Sequence, residues 1–418
     1  MKLAIALWLQ AFVALILPAA NASMENDALQ DQLKAVEWIA DDLRQLSLDT
    51  TPSREFHSRE EMIEYFALDG VDSSRLGYDP LMQFYLAFDL IDPAVDLYSL
   101  TGQMNGENVG GYYDIETQTI NLVLVEGDDP GDSLNYYEEI VYVHEYTHAL
   151  QDANFDVSVL MRNAYRHSEG YVALLSLIEG DAMFMQDLYT NHVLPTHPDA
   201  ELILGMSLLG ENASPGLHIP SILRAELYLP YLDGMNFVKA LYTEGGWELV
   251  NSAYDNPPIS TEHILHPERY LAGDLPLNLD IQPMRGILEG DWTMVNTDTL
   301  GEFYLRQYLS TQLDYPTVDT ALTGWGGDQY RLFYNKDINQ RAWVMLIGWD
   351  TSDDQSEFTT AYHQFMQLRT HTDAVSYAEA DCWGAEDGVF CIHDAELVIL
   401  AYAPTLKEAI ALIDSQTD

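Results

Sequence analysis

Basic residues are scarce in this chain. Its 418 residues hold 18 Lys and Arg against 67 Asp and Glu, a formal charge of −49. So acidic a surface repels phosphate backbones and anionic lipid, which argues against nucleic acid as a partner. Long apolar runs are also lacking. Beyond the N-terminus no segment has 18 consecutive apolar residues, so no later stretch reads as a membrane span. Residues 1–22 read as an export signal: Lys2 is a positive start, Leu3–Leu17 is apolar but too short to span, and Pro18 breaks the run. Ala20-Asn21-Ala22 then forms a cleavage site before Ser23. The expected product is periplasmic or extracellular, with no stable membrane insertion after cleavage. Cysteine is almost absent. Cys382 and Cys391 flank a turn-like Trp383–Gly388 and are expected to pair as a disulfide in an oxidising compartment.

What is present suffices for a fold. A content of 47% hydrophobic and 11% aromatic residues excludes a disordered chain. Helical spacing of Leu29, Leu33, Val36, Ile39, Ala40 and Leu43 predicts a helix over Ala28–Leu46, and further helices are expected over Arg59–Leu68 and Pro80–Ile91. Val109–Val125 reads as a hairpin, with Asp114–Gln118 as its turn. From about Leu300, strands alternate with helices. The expected fold class is α+β: a mostly helical domain at residues 23–298 with a small sheet at the Val109–Val125 hairpin, then a small C-terminal α/β sheet domain at residues 299–418.

The chemistry concentrates in His144-Glu145-Tyr146-Thr147-His148, set in a predicted helix within Tyr136–Asp152. Histidines at i and i+4 leave a helix on one face, one turn apart, which is the separation two imidazoles need to reach one zinc ion. Glu145 is placed beside them as a general base rather than a ligand. The apolar residues around the motif predict a buried helix, and buried polar groups need partners. A third ligand is expected from a second buried helix, about Ser168–His192, whose apolar pattern is broken by Glu179-Gly180-Asp181. Glu179 is the first choice and Glu169 the alternative. Asp152 and Asp181 are candidates for orienting a ligand ring. Gly110, Gly111 and Tyr112 are candidates for pairing an extended substrate with a sheet edge. For steadying an oxyanion, the Pro-rich stretch Pro257–Pro267 and its sequel offer His266, with Tyr270 as the alternative.

His144–Asp152 followed by Ile178–Ala182 resembles the gluzincins, H-E-x-x-H peptidases whose third zinc ligand is a glutamate on a later helix. The chain is more closely similar to a group of uncharacterised secreted bacterial proteins of that class, which share segments like Asn256–Glu268 and Gly324–Tyr330. The resemblance spans most of the chain after about residue 105. It implies a zincin-like fold with Zn2+ on His144, His148 and Glu179, Glu145 as base, and a peptide or protein substrate. The chain departs from the thermolysin pattern in its longer gap between His148 and Glu179. Met183 also stands where an aspartate would support a histidine, so that support is expected from elsewhere. The alternative reading is a catalytically silent binding or scaffold protein of the cell envelope.

Overall fold

The computed structural model describes residues 27–65, 80–164, 168–193, 219–284, 286–377 and 379–417. The expected export signal at residues 1–22 lies outside them. Helix α1 (Asp27–Arg44) buries Leu29, Leu33, Val36 and Ala40, the stripe expected from its periodicity. Strand β1 (Ser53–His57) follows, then helices α2 (Pro80–Ala87) and α3 (Leu97–Asn108). The hairpin is β2 (Gly111–Asp114) and β3 (Thr119–Val123). These strands form a sheet in the order β1-β3-β2, with β1 parallel and β2 antiparallel to β3. β2 is therefore an edge.

Helix α4 (Tyr136–Phe155) begins with a reciprocal cap. The Asn135 side chain accepts from the Glu138 N–H, and the Glu138 side chain accepts from the Asn135 N–H. Two turns after this cap, α4 is buried on all sides from Tyr142 to Gln151. After α5 (Val157–Ala164), the equally buried α6 (Ser168–Val193) packs against it. Helices α7 (Ser221–Tyr228) and α8 (Gly234–Asp255) are joined without a break by a wide π turn, Leu229–Asp233. Pro230 lies in that turn and cannot donate a backbone hydrogen bond, so regular α geometry fails there. Short helices α9 (Thr261–Leu265) and α10 (Pro267–Ala272) lead to the C-terminal region.

That region opens with β4 (Thr293–Asp298), α11 (Gly301–Ser310) and α12 (Tyr315–Leu322). It continues through β5 (Trp325–Asn335), β6 (Gln340–Trp349) and α13 (Ser352–Thr370). It closes with β7 (Val375–Tyr377), β8 (Ala380–Gly384), β9 (Val389–Asp394), β10 (Val398–Ala403) and α14 (Leu406–Thr417). The seven strands form one sheet, β4-β5-β6-β10-β9-β8-β7, and every pair in it is antiparallel. Cys382 and Cys391 face each other across β8 and β9 and form the expected disulfide.

The molecule is α+β, and three details differ from expectation. The C-terminal region is an antiparallel sheet with helices against it rather than an alternating α/β unit. Its first strand starts before residue 299, and its core is not separate. On β6, Trp343, Met345 and Ile347 join the main core with Phe84 and Phe88, while Ala342, Val344 and Leu346 face α14. The Trp343 indole N–H donates to the Ala87 carbonyl at 3.2 Å. Trp325–Asp328 forms the start of β5. Its glycines admit another chain: a methyl on Gly327 would lie 2.8 Å from the Leu277 carbonyl oxygen, and the Leu277 N–H donates to the Gly326 carbonyl.

Candidate metal centre

His144 and His148 leave α4 on one face and meet Glu179 of α6. His144 Nε2 lies 3.2 Å from both His148 Nε2 and Glu179 Oε2, and His148 Nε2 lies 3.5 Å from the same oxygen. All three side chains are buried. Donors about 2.0–2.2 Å from a tetrahedral ion stand roughly 3.2–3.6 Å apart, so this trio matches the spacing of a zinc coordination sphere. Burial raises the Glu179 pKa less than the two rings lower it, leaving it below its ordinary value. Burial likewise lowers that of His148 less than Glu179, Glu145 and Gln151 together raise it. Glu169, the alternative third ligand, is elsewhere. Its carboxylate accepts from the Thr261 N–H at 2.8 Å and from the Thr261 hydroxyl, holding the start of α9. A second acidic group, Glu262, Asp274 and Asp350, already carries a cation: Arg269 Nη1 lies 2.8 Å from Asp274 and 2.6 Å from Asp350.

Glycine decides how close the elements come. A methyl on Gly180 would lie 2.2 Å from the backbone of Gly234, and one on Gly234 would lie 2.3 Å from the Ser176 carbonyl oxygen. Without side chains between them, α6 and the start of α8 touch. The π turn just before α8 is thereby brought over Glu179. Tyr231 in that turn stacks on His144, with ring centroids 6.1 Å apart, and its hydroxyl lies beside Glu179.

Glu145 lies on the β2 side of α4. A methyl on Gly111 would lie 3.1 Å from Glu145 Cγ, and one on Gly110 would lie 3.2 Å from Val141. The Val123 N–H donates to the Gly110 carbonyl at 2.8 Å, so Gly110 and Tyr112 direct their backbone groups to β3. Those of Gly111 and Tyr113 face outward. The outward Tyr113 N–H faces Glu145, whose carboxyl is raised above its ordinary pKa by burial, partly offset by His144 and His148. Gly111 thus presents outward-facing backbone beside the general-base candidate. The Tyr112 side chain instead fills a small core with Met62 and Val123.

The supporting residues are rearranged relative to expectation. His148 Nδ1 bonds Gln151 Oε1 at 2.8 Å, and the Gln151 amide reaches Asp181 at 3.2 Å. Asp181 therefore acts one step further out. Asp152 does not orient a ring of the trio; it accepts from the Tyr113 hydroxyl at 3.3 Å. His266 Nε2 lies 3.0 Å from Glu302, which also binds Arg306. The Tyr270 hydroxyl donates to the Asn256 carbonyl, and its ring packs on Phe237 and His263. Their hydrogen bonds and ring contacts thus go to residues other than His144, Glu145, His148 and Glu179. Sequence reasoning missed Gln151 and Tyr231. Both left a signal: Gln151 stands three residues past His148, and Tyr231 follows a proline inside a helical stretch.

Residues 291–412 match a family described as a domain of unknown function (DUF8575). The match covers the seven-stranded sheet and omits α4 and α6. No curated protein matches the chain. A crystal structure from Chloroflexus aurantiacus, described as a "putative hydrolase with a novel fold", is similar at 18% identity and a TM-score of 0.39. The similarity covers 61% of this chain and 92% of that one.

Proposed function

We propose that the protein is an exported zinc-dependent peptidase, with His144, His148 and Glu179 as ligands. The observation that carries this reading is the buried convergence of two imidazole nitrogens and one carboxylate oxygen, 3.2–3.5 Å apart, beside a second buried carboxylate, Glu145. Zinc held there would supply a Lewis acid that acidifies water and polarises a carbonyl. Glu145 takes the proton of the attacking water and passes it to the leaving amine. Its upward-shifted carboxyl suits both halves of that transfer. Gly111 pairs an extended peptide with the outer edge of β2, setting the scissile bond beside Glu145. Tyr231, whose hydroxyl already reaches into the trio, donates to the carbonyl oxygen as negative charge develops on it. This assigns to Tyr231 the part expected of His266 or Tyr270. Export is supported by the apolar Leu3–Leu17 segment and the disulfide, and among the described residues no helix is long and apolar enough to cross a membrane.

The test is metal analysis of the purified protein with digestion of casein or a peptide library, with and without chelator. One zinc per chain and chelator-sensitive cleavage are expected. Glu145→Gln should retain zinc and lose cleavage, and full activity in that variant would overturn the mechanism. Zinc without any cleavage would favour a binding protein built on the same fold.

A further inference from the structure

Beyond the three ligands, a chain of buried hydrogen bonds leads from His148 to the N-terminal helix. His148 Nδ1 meets Gln151 Oε1, and Gln151 Nε2 donates both to the Ile178 carbonyl at 2.9 Å and to Asp181 Oδ2 at 3.2 Å. Asp181 is gripped at both oxygens by Arg44, each bond 2.9 Å, and also accepts from the Tyr254 hydroxyl at 2.7 Å. Arg44 is completely buried. Its remaining Nη1 donates to Asn251 at 2.8 Å, and its guanidinium lies 4.2 Å from the Trp247 ring centre.

Each link dictates the next. A two-pronged guanidinium keeps Asp181 as an acceptor only. The end of Gln151 that faces Asp181 and the Ile178 carbonyl must then be its NH2 group, because the reverse orientation would set a carbonyl oxygen against two acceptors. That leaves Oε1 for His148, so Nδ1 must carry the hydrogen. The lone pair of His148 is then on Nε2, the atom that faces His144 and Glu179.

We infer that Arg44 is a positioning residue for the metal centre: acting through Asp181 and Gln151, it selects the metal-binding tautomer of His148 and holds the ring in place. The inference rests on the zinc reading above. It makes α1 part of the centre, although, among the described residues, none of α1 hydrogen-bonds to the trio. It also gives the Asp181 of Glu179-Gly180-Asp181 a purpose that ligation does not require.

The experiment measures zinc affinity by competition with a chromophoric chelator for the wild type, Arg44→Met, Gln151→Met and the double variant. The visible spectrum of each cobalt-loaded protein is recorded alongside. Removing such outer partners weakens metal binding about 10- to 100-fold, and each single variant should fall in that range with a changed cobalt spectrum. The double variant should bind zinc no more weakly than Gln151→Met alone, because both changes cut one chain. Should Arg44→Met fail to fold, Arg44→Lys takes its place. It keeps the charge but loses the two-pronged grip, and should show a smaller loss that Gln151→Met abolishes. Losses that add independently, or unchanged affinity in the Arg44 variants, would overturn the inference and leave the zinc reading standing. A wild type that binds no zinc would overturn both.

Discussion

Gly180 and Gly234 meet backbone to backbone. A methyl added to Gly180 would lie 2.2 Å from the Gly234 carbonyl carbon and oxygen. This contact sets the distance between α6, which carries Glu179, and the π turn, which carries Tyr231. The obstacle is backbone rather than a flexible side-chain end, so the helices themselves must part. Gly180→Ala should therefore destabilise the protein by about 1–3 kcal/mol or more, as expected for overpacking, despite alanine's better helix propensity. Chemical denaturation would measure it. A variant as stable as the wild type would show that α6 and α8 can slide apart freely.

Tyr231 and His266 make opposite forecasts. Tyr231→Phe keeps the ring stacked on His144 but removes the hydroxyl at Glu179. Peptidase kcat should fall about 100-fold with KM and zinc content little changed, the magnitude expected for losing one oxyanion donor. His266→Ala should leave kcat within a few-fold and lower the melting temperature, because it strips Glu302 of one partner. Steady-state kinetics on one fluorogenic peptide distinguishes the two. A large kcat loss confined to His266→Ala would return the oxyanion role to His266.

Glu226 predicts a pH effect on stability. Its carboxyl is buried, and hydroxyls of Tyr85 and Tyr304 donate to it at 2.8 Å. Burial outweighs those bonds and pushes its pKa up to about 8 from 4.5. A group whose folded pKa lies above its unfolded value contributes stability that is complete below the unfolded pKa and lost as pH rises through the folded one. Stability should therefore fall between pH 4.5 and 8, with a slope of up to about 1.4 kcal/mol per pH unit from this group. Glu226→Gln should flatten that slope and melt higher than the wild type at pH 8. Thermal melts from pH 5 to 8.5 would show it, and parallel pH profiles for the two proteins would refute it.

The disulfide should act on stability alone. Cys382 and Cys391 close a short loop between β8 and β9, in the sheet rather than at the histidines. Replacing both by alanine should cost about 2–3 kcal/mol by loop entropy. Zinc content and kcat should not change. Urea denaturation with metal analysis would check both halves, and a loss of zinc would tie the sheet to the centre.

Much of the centre was legible because it is local. His144, Glu145 and His148 share one helical turn, and their relation follows from helix geometry whatever the rest of the chain does. Glu179 stood out because a carboxylate inside an apolar helix contradicts burial unless something meets it. The helices of the first half and most strands of the second were likewise written in apolar periodicity. β1 was missed because it pairs with β3 across a long stretch of sequence. The antiparallel order of the large sheet was hidden for a related reason: both faces of β6 are buried, so its residues do not alternate in polarity.

The partners of the centre were settled otherwise. His266 and Tyr270 have suitable chemistry but are bound to Glu302 and Asn256, while Tyr231 is delivered by a π turn and two touching glycines. Arg44 reaches Asp181 because Glu37, Asp41 and Arg44 lie along one face of α1. There Tyr142 and Tyr146 of α4 donate to the first two, at 2.5 and 2.9 Å. By itself the sequence determined the donors on each helix, since spacing within one helix is a property of the local backbone. Which residues face those donors was decided only by tertiary packing, because contacts between helices depend on how closely two backbones can approach, and no periodicity within either helix encodes that distance.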